Sequence, residues 1–299
     1  MKIGFIGLGK MGYNMVTRLL NDNHEIVVWD PQKETVNNLA SKGAIASDSP
    51  EDMISKLPEQ KVIWLMVPNG KPVDSNLDTL LPKLSKGDII IDGGNSYWRD
   101  SQDRAKKAAE KGVEFIDCGT SGGVWGLENG YCLMYGGSPE ATDIVEPVFK
   151  TLAPKDGYVY CGPSGTGHMV KEVHNGIEYG MMQAYAEGFE ILKNSPYNLD
   201  LEKIAGAWRY GSVVRSWLLE LAYDALGKDP NLDKLEPFVQ DSGEGRWTLL
   251  TAMDFNTPVP VIAASLFNRF QSRDRDSFGM KLLAALRNEF GGHAVKSKE

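Results

Sequence analysis

Three cysteines in 299 residues, with no CxxC pair among them, leave little material for a disulfide framework or a thiolate metal site. Cys118, Cys132 and Cys161 are expected as free core thiols. No run of about 20 apolar residues is present to span a bilayer. Met1 leads directly into a strand-like segment, with no signal-peptide pattern. The expectation is a protein of the reducing cytoplasm that meets no membrane. Excess positive charge is also missing. The net charge is −8, which argues against nucleic acid or an anionic membrane surface as a partner. An anionic ligand then requires basic residues gathered locally. There is no internal repeat and no low-complexity stretch beyond the charged end Lys296-Ser297-Lys298-Glu299. What remains is 42% hydrophobic and 24% charged, an ordinary globular profile long enough for two domains.

The chain opens with a short strand, Lys2-Ile3-Gly4-Phe5-Ile6, running into Gly7-Leu8-Gly9-Lys10-Met11-Gly12. A helical pattern follows through Met15, Val16, Leu19 and Leu20. This is the GxGxxG spacing in its required strand–turn–helix context. The glycines permit a tight turn and let backbone N–H groups approach a pyrophosphate, whose charge the helix N-terminus stabilises. The next strand, Glu25-Ile26-Val27-Val28-Trp29, ends at Asp30, eighteen residues after Gly12. A carboxylate there binds both ribose hydroxyls of an adenosine and repels a 2′-phosphate. The residues that follow are Pro31, Gln32 and Lys33, with no Arg among them. NAD is therefore expected over NADP, with Lys33 as the one feature that keeps NADP open.

Near-continuous apolar runs at Lys61–Met66 and Asp88–Ile91 suit a parallel, doubly wound sheet covered on both faces. Ligands in such sheets sit beyond the carboxyl ends of the strands. The segments there are Val67-Pro68-Asn69-Gly70 and Asp92-Gly93-Gly94-Asn95-Ser96. Val67 and Pro68 are cofactor candidates, and Asn95 is a candidate contact to the nicotinamide end or the substrate. After the strand Phe115-Ile116-Asp117, the run Ser121-Gly122-Gly123 offers a hydroxyl and open N–H donors to a carboxylate or phosphate. Strands at Cys132–Tyr135 and Tyr158–Tyr160 complete the first domain. Ser164 or Thr166 is expected to cap the helix that follows.

From His168 onward helical periodicity dominates, over about 168–194, 201–226, 246–254 and 259–288. The most telling stretch is Lys171-Glu172-Val173-His174-Asn175-Gly176-Ile177-Glu178-Tyr179. At about 100° per residue, Lys171, His174, Asn175 and Glu178 fall on one face, at roughly 0°, −60°, +40° and −20°. Met169, Val173, Ile177, Gly180 and Ala184 form the opposite face, expected to be a core stripe. Lys171 and Glu178 lie two turns apart, about 10 Å along the axis, which suits a small substrate with proton traffic at two carbons. Arg269, Arg273, Arg275, Lys281 and Arg287 collect late in the chain, with His293 beyond.

Together these residues resemble the decarboxylating 6-phosphogluconate dehydrogenases, and more narrowly their short, NAD-preferring branch within the β-hydroxyacid dehydrogenases. The resemblance rests on Gly7–Gly12 with Asn14, on Asp92–Ser96, and on Ser121-Gly122-Gly123. It continues through Gly165–Lys171, His174–Tyr179, Gly245-Arg246-Trp247-Thr248 and the terminal Arg287–His293. It implies an α/β fold: an N-terminal doubly wound Rossmann domain over 1–163, which binds NAD, then an all-helical domain over 164–299. The second would bind substrate, drive oligomerisation and end in a tail.

The resemblance also implies roles. Gly7 to Gly12 and Asn14 would bind the cofactor. Lys171 would take the proton from the C3 hydroxyl of 6-phosphogluconate as hydride leaves C3, provided that burial keeps it neutral. The β-keto acid then loses carbon dioxide, and Glu178 would protonate C1 of the enediol to give ribulose 5-phosphate. Asn175 and His174 would orient hydroxyls. Ser121, Gly122 and Gly123 would hold the C1 carboxylate. Tyr179, Arg269 and Arg287 would bind the phosphate, and His293 would close the site. In the family the tail residues Arg287 and His293 complete a neighbouring subunit's site. The implied assembly is a homodimer or a dimer of dimers.

Two departures from the longer members stand out. Ser242 occupies the place of a lysine before the glycine–tryptophan segment, and the chain is too short for a second set of helices. Two other readings stay open on sequence. One is a 3-hydroxyisobutyrate-type dehydrogenase, which has no need of Glu178 or of the Arg287/His293 tail. The other is a non-catalytic NAD-binding module on the same fold.

Overall fold

The computed structural model describes residues 1–274, 276–291 and 294–296. The chain forms two compact units, Met1–Asn175 and Gly176–Glu299.

The first unit is built on one eight-stranded sheet of order β3-β2-β1-β4-β5-β6-β7-β8. Its strands are β1 Lys2–Ile6, β2 Glu25–Trp29, β3 Ile45–Ala46, β4 Val62–Leu65, β5 Ile89–Asp92, β6 Glu114–Ser121, β7 Cys132–Gly136 and β8 Tyr158–Gly162. The pairings are parallel except β6 with β7, which is antiparallel. The all-parallel sheet expected from sequence is corrected there. A short turn of helix between β6 and β7 spans Gly123–Trp125 and α6 Gly126–Asn129. That connection reverses the chain without a full crossover, so an antiparallel return follows. The two-residue β3 carried no strand signal of its own.

Period-2 alternation divides the strand side chains between two cores. Ile3, Phe5, Trp64, Ile89 and Ile91 face one core, with Met15, Val16, Leu19 and Phe149. Ile6, Ile63, Leu65 and Ile90 face the other, with Val73, Leu77 and Leu80. The helices that cover the sheet include α1 Lys10–Asn21, α2 Lys33–Ala40, α3 Pro50–Ser55, α4 Lys71–Leu80, α5 Trp98–Ala109 and α7 Pro139–Leu152. Both faces being buried explains why the central strands read as unbroken apolar runs.

Strand order reverses between β1 and β4, the switch point at which such sheets open a crevice. A cleft of 420 Å³ lies there, lined by Gly7, Gly9, Asp30, Val67 and Pro68 among others.

The second unit is helical. α8 Thr166–Lys193 begins in the first unit and continues into the second, which adds α9 Leu201–Trp208, α10 Trp217–Lys228, α11 Glu244–Asp254, α12 Pro260–Arg273 and α13 Phe278–Gly291. Ala205, Leu219 and Leu226 form a small core with Tyr185, Phe189, Trp208 and Tyr223. The helix expected over 201–226 is two helices. Gly211 adopts φ +67° between them, and the Ser216 side chain caps α10 by accepting from the Leu219 N–H. The helix expected over 259–288 is also broken, between α12 and α13. Among the described residues no helix is long and apolar enough to cross a membrane.

The cysteines do not behave alike. Cys118 is buried in the sheet, and burial pushes its thiol well above the ordinary range. Cys132 is exposed and Cys161 is half-buried, so the core-thiol expectation holds for Cys118 alone.

Candidate active site

The turn after β1 meets each steric demand of a dinucleotide loop. Gly7 sits at φ +92°, and a Cβ there would stand 2.3 Å from the Met66 carbonyl oxygen. A Cβ at Gly12 would stand 2.0 Å from the Gly7 oxygen, so this glycine lets α1 pack on the turn. Gly9 meets nothing within 4 Å. It presents bare backbone to the cleft, as close approach of a pyrophosphate requires. α1 starts at Gly9 with no side-chain cap and no acidic residue in its first turn. Its leading N–H groups and positive dipole end are therefore left for an anion. Lys10 is exposed and Met11 half-buried at this end. These residues fit a bound dinucleotide.

Asp30 braces the same turn. Its Oδ2 accepts from the Leu8 N–H at 2.8 Å, and its Oδ1 accepts from the Gln32 N–H at 2.8 Å. Asn14 is turned elsewhere: its Nδ2 donates to the Val124 carbonyl oxygen at 3.2 Å. That bond ties α1 to the segment after Ser121-Gly122-Gly123. Ser121 ends β6, paired with Cys132. Gly122 and Gly123 follow at φ +128° and +54°, conformations that side chains resist.

Lys171 is 5% exposed, and Asn175 is buried as well. The Lys171 ammonium donates to Asn175 Oδ1 at 2.7 Å and lies 3.3 Å from His174 Nδ1. His174 Nδ1 is in turn 3.1 Å from Asn175 Oδ1. Lys171, His174 and Asn175 thus form one cluster on α8, as the helical projection anticipated. Glu178 lies two turns along the same helix and is half-buried.

The opposite stripe differs from expectation. Val173 and Ile177 are 39% and 53% exposed, Ala184 is exposed, and Met169 is half-buried; of the five, Gly180 alone is buried. The polar face is the inward one near Lys171. The cause is visible in β6: Gly119 has no side chain, and Lys171 fills that space. A Cβ at Gly119 would stand 2.2 Å from Lys171 Cβ.

Neither Ser164 nor Thr166 caps α8. Their hydroxyls donate to the carbonyl oxygens of Phe115 and Pro163. The cap comes from Asp117 on β6, whose Oδ1 accepts from the Gly165 N–H at 2.5 Å and whose Oδ2 accepts from the His168 N–H at 2.8 Å. Burial raises the Asp117 pKa, opposed by His168 and by these N–H groups.

In the second unit, Tyr179 is 6% exposed. The Arg269 guanidinium lies 3.5 Å from its ring centroid. Arg269 also donates to the Gln240 carbonyl oxygen at 2.8 Å. The Tyr179 hydroxyl accepts a long bond, 3.5 Å, from the Ser242 N–H. Ser242 Oγ donates to Glu244 Oε2 at 2.5 Å. The other cations of this region are committed: Asp241 accepts from Arg246 at 2.8 and 3.2 Å and from Arg273 at 3.0 Å. Lys281 pairs with Asp276 at 2.6 Å. Arg287 is exposed on α13. His293 and Arg275 lie outside the described residues. No group of three or more His, Cys, Asp and Glu among the described residues suits a metal ion.

The model of the NAD-binding domain of 6-phosphogluconate dehydrogenase matches residues 2–162. The model of the 6-phosphogluconate dehydrogenase C-terminal domain matches residues 167–280. The chain belongs to the 6-phosphogluconate dehydrogenase family. It is 45% identical over 301 residues to an NAD(+)-dependent, decarboxylating 6-phosphogluconate dehydrogenase of Haloferax volcanii, covering the whole of both chains. It is 48% identical over 298 residues to a Bacillus subtilis protein named as a candidate 6-phosphogluconate dehydrogenase, again over both full lengths. A solved 6-phosphogluconate dehydrogenase of Plasmodium falciparum, studied with NADP+ and with its substrate 6-phosphogluconate, superposes with a TM-score of 0.84 at 31% identity. The match covers 100% of this chain and 67% of that one.

Within this family frame, sequence reasoning missed Asp117 and Asp241. Asp117 has a readable signal, a carboxylate inside a buried strand. Asp241 has none: Arg246 stands five residues on, which is not a helical spacing, and Arg273 is remote in sequence.

Proposed function

We propose that this chain oxidatively decarboxylates 6-phospho-D-gluconate to D-ribulose 5-phosphate and carbon dioxide with reduction of NAD. The observation that carries the reading is the Lys171–Asn175–His174 cluster, with Glu178 two turns further along the same helix. It stands with full-length similarity to an NAD(+)-dependent relative.

Gly7, Gly9 and Asp30 would hold the dinucleotide in the cleft they line, and the bound cofactor would supply the hydride acceptor. Lys171 in its neutral form takes the proton of the C3 hydroxyl while the C3 hydrogen leaves as hydride. Asn175 Oδ1, already 2.7 Å from the Lys171 nitrogen, fixes that nitrogen's direction. The product of this step is a β-keto acid. Protonated Lys171 returns its proton towards the C3 oxygen as the C1–C2 bond breaks and carbon dioxide departs. Glu178 then delivers a proton to C1 of the enediol, the second carbon that needs one. Ser121 with the Gly122 and Gly123 backbone holds the substrate carboxylate, and Asn95 contacts the substrate or the nicotinamide end. Tyr179, Arg269 and Arg287 serve the phosphate, with Arg suited to it by its fork of donors, and His293 closes the site from the tail. Ser242, in place of a lysine, brings no charge, and its N–H and hydroxyl are engaged by Tyr179 and Glu244.

The reaction belongs to the pentose phosphate pathway, and the compartment read for the protein is the cytoplasm. The acting form is a homodimer or homotetramer with composite sites. What supports this is α13, which leaves Phe278, Met280, Leu283 and Leu286 at least half exposed. Exposed apolar side chains gathered on one helix mark an association surface.

The test mixes the purified protein with 6-phosphogluconate and NAD. NADH and carbon dioxide should appear in equal amounts. NADH without carbon dioxide would point to a simple β-hydroxyacid dehydrogenase, and neither product would sink the reading.

A further inference from the structure

His168 is 1% exposed and belongs to none of the roles above. Its ring spans two elements. Nε2 lies 3.0 Å from the Gly94 carbonyl oxygen, and Nδ1 lies 2.7 Å from the Ser101 hydroxyl on α5. A carbonyl oxygen only accepts, so Nε2 carries a proton and donates. In the neutral ring Nδ1 then accepts from Ser101. The His168 backbone N–H donates to Asp117, which caps α8.

The ring and its Gly94 partner each neighbour a residue of the candidate site. Gly94 precedes Asn95. His168 precedes Lys171 by three residues, on the same side of one helical turn. The loop that bears Asn95 is gripped from its other side by Asp92, which is fully buried. Asp92 Oδ2 accepts from Ser96 Oγ at 2.7 Å and Oδ1 accepts from the Gly94 N–H at 3.3 Å. Thr120 on β6 donates to the Gly93 carbonyl oxygen at 3.2 Å. His168 is the one side chain in this set that belongs to the helix of Lys171.

We infer that His168 is a positioning residue: its imidazole, held by Ser101, locks the Gly93–Ser96 loop to α8 and so sets Asn95 against Lys171. The inference rests on the proposed reaction, because it assigns His168 to the placement of that reaction's base and of a substrate or nicotinamide contact. Asp117 holds the helix end and Asp92 holds the loop, while His168 joins them. Loss of the join leaves each part folded but loosely registered, and catalysis is steeply sensitive to such misplacement.

The experiment compares His168→Gln, His168→Leu and Ser101→Ala with the wild type. Ser164→Ala serves as a control at the start of the same helix, outside the network. Three quantities are read: kcat with KM for NAD and for 6-phosphogluconate, the thermal midpoint, and amide hydrogen exchange of residues 93–96. Gln retains an N–H donor for the Gly94 oxygen and Leu does not. His168→Leu should lower kcat on the order of a hundredfold, with KM for NAD unchanged and faster exchange at 93–96. His168→Gln should recover most of the activity, Ser101→Ala should lie between, and Ser164→Ala should match the wild type. Gln no better than Leu, or unchanged exchange at 93–96 in both Leu and Ser101→Ala, would overturn the inference. Should the Leu variant fail to fold, Ser101→Ala decides: a lower kcat with faster exchange supports the inference, and wild-type values in both refute it. A wild type inactive on 6-phosphogluconate fails the proposed reaction alone. The exchange measurement then still judges the lock.

Discussion

Lys171 packs its Cβ against the bare Cα of Gly119, where an added methyl group would stand only 2.2 Å away. A strand glycine thus sets how closely the helix of the candidate base approaches the sheet. Gly119→Ala should therefore destabilise the first unit by about 1–3 kcal/mol through overpacking. It should also lower kcat, because relief requires α8 to shift. Urea unfolding and steady-state kinetics check this together. Wild-type values of both would show that the helix gives way without consequence for Lys171.

The helix of Lys171 shows what sequence can and cannot convey. The spacing of Lys171, His174 and Asn175 was legible because helical geometry alone brings them to one face. Which face points inward was not legible, because Gly119 decides it from 52 residues upstream. The same logic covers the cap. Ser164 and Thr166 are good local candidates, but Asp117 reaches both the Gly165 and the His168 N–H groups from a strand. The glycine turn with Asp30 was legible because every partner is local or belongs to a repeated motif. The breaks before α10 and before α13 were missed because apolar periodicity runs through them, while Gly211 and the Ser216 cap act on single residues.

Chemistry at Lys171 and Glu178 should separate by substitution. Lys171→Met should abolish NADH formation, since no group remains to take the C3 hydroxyl proton. Glu178→Gln should slow product release from the enediol stage while leaving more of the hydride step. Stopped-flow NADH signals and carbon dioxide release distinguish the two. Near-normal turnover by Lys171→Met would end the proposed mechanism.

Cofactor preference rests on a carboxylate with two tasks. Asp30 receives N–H donors from Leu8 and Gln32 and faces the cleft at the end of β2. NAD should be used at least about tenfold better than NADP in kcat/KM, a difference of about 1.4 kcal/mol. Asp30→Ser combined with Pro31→Arg should narrow or reverse that ratio. It should also lower kcat/KM for NAD, because the turn loses its brace. Equal use of both cofactors by the unaltered protein would show that Lys33 offsets Asp30.

Asp241 provides a pH signature in the second unit. The Arg246 hydrogen bonds are the chief cause holding its carboxyl below the usual range, with Arg273 adding and burial opposing. A carboxyl with a lower pKa folded than unfolded contributes stability that is full above its unfolded pKa, about 3.9. That contribution is lost as pH falls through the folded value. The thermal midpoint of the wild type should exceed that of Asp241→Asn at neutral pH. The gap should close below about pH 4. A gap that persists unchanged into acid would mean that the pairing with Arg246 and Arg273 does not stabilise the fold.

The tail carries the assembly prediction. Arg287 sits exposed on α13, among apolar side chains that the single chain leaves uncovered: Phe278 is 76% exposed and Leu283 53%. An acidic chain that binds a sugar acid phosphate needs Arg brought to the site, and α13 brings one on a surface suited to a second copy. Leu283→Glu with Leu286→Glu should shift the protein towards monomer in analytical ultracentrifugation, with loss of turnover but retained NAD binding. Truncation after Phe290 should likewise spare NAD binding and weaken substrate use. The decisive measurement mixes inactive Lys171→Met subunits with inactive Arg287→Ala subunits. If one subunit's tail completes its neighbour's site, some hybrid sites hold both wild-type residues, and activity should return on subunit exchange. Hybrids that form, as shown by mass or fluorescence exchange, yet stay inactive would mean that Arg287 serves its own chain.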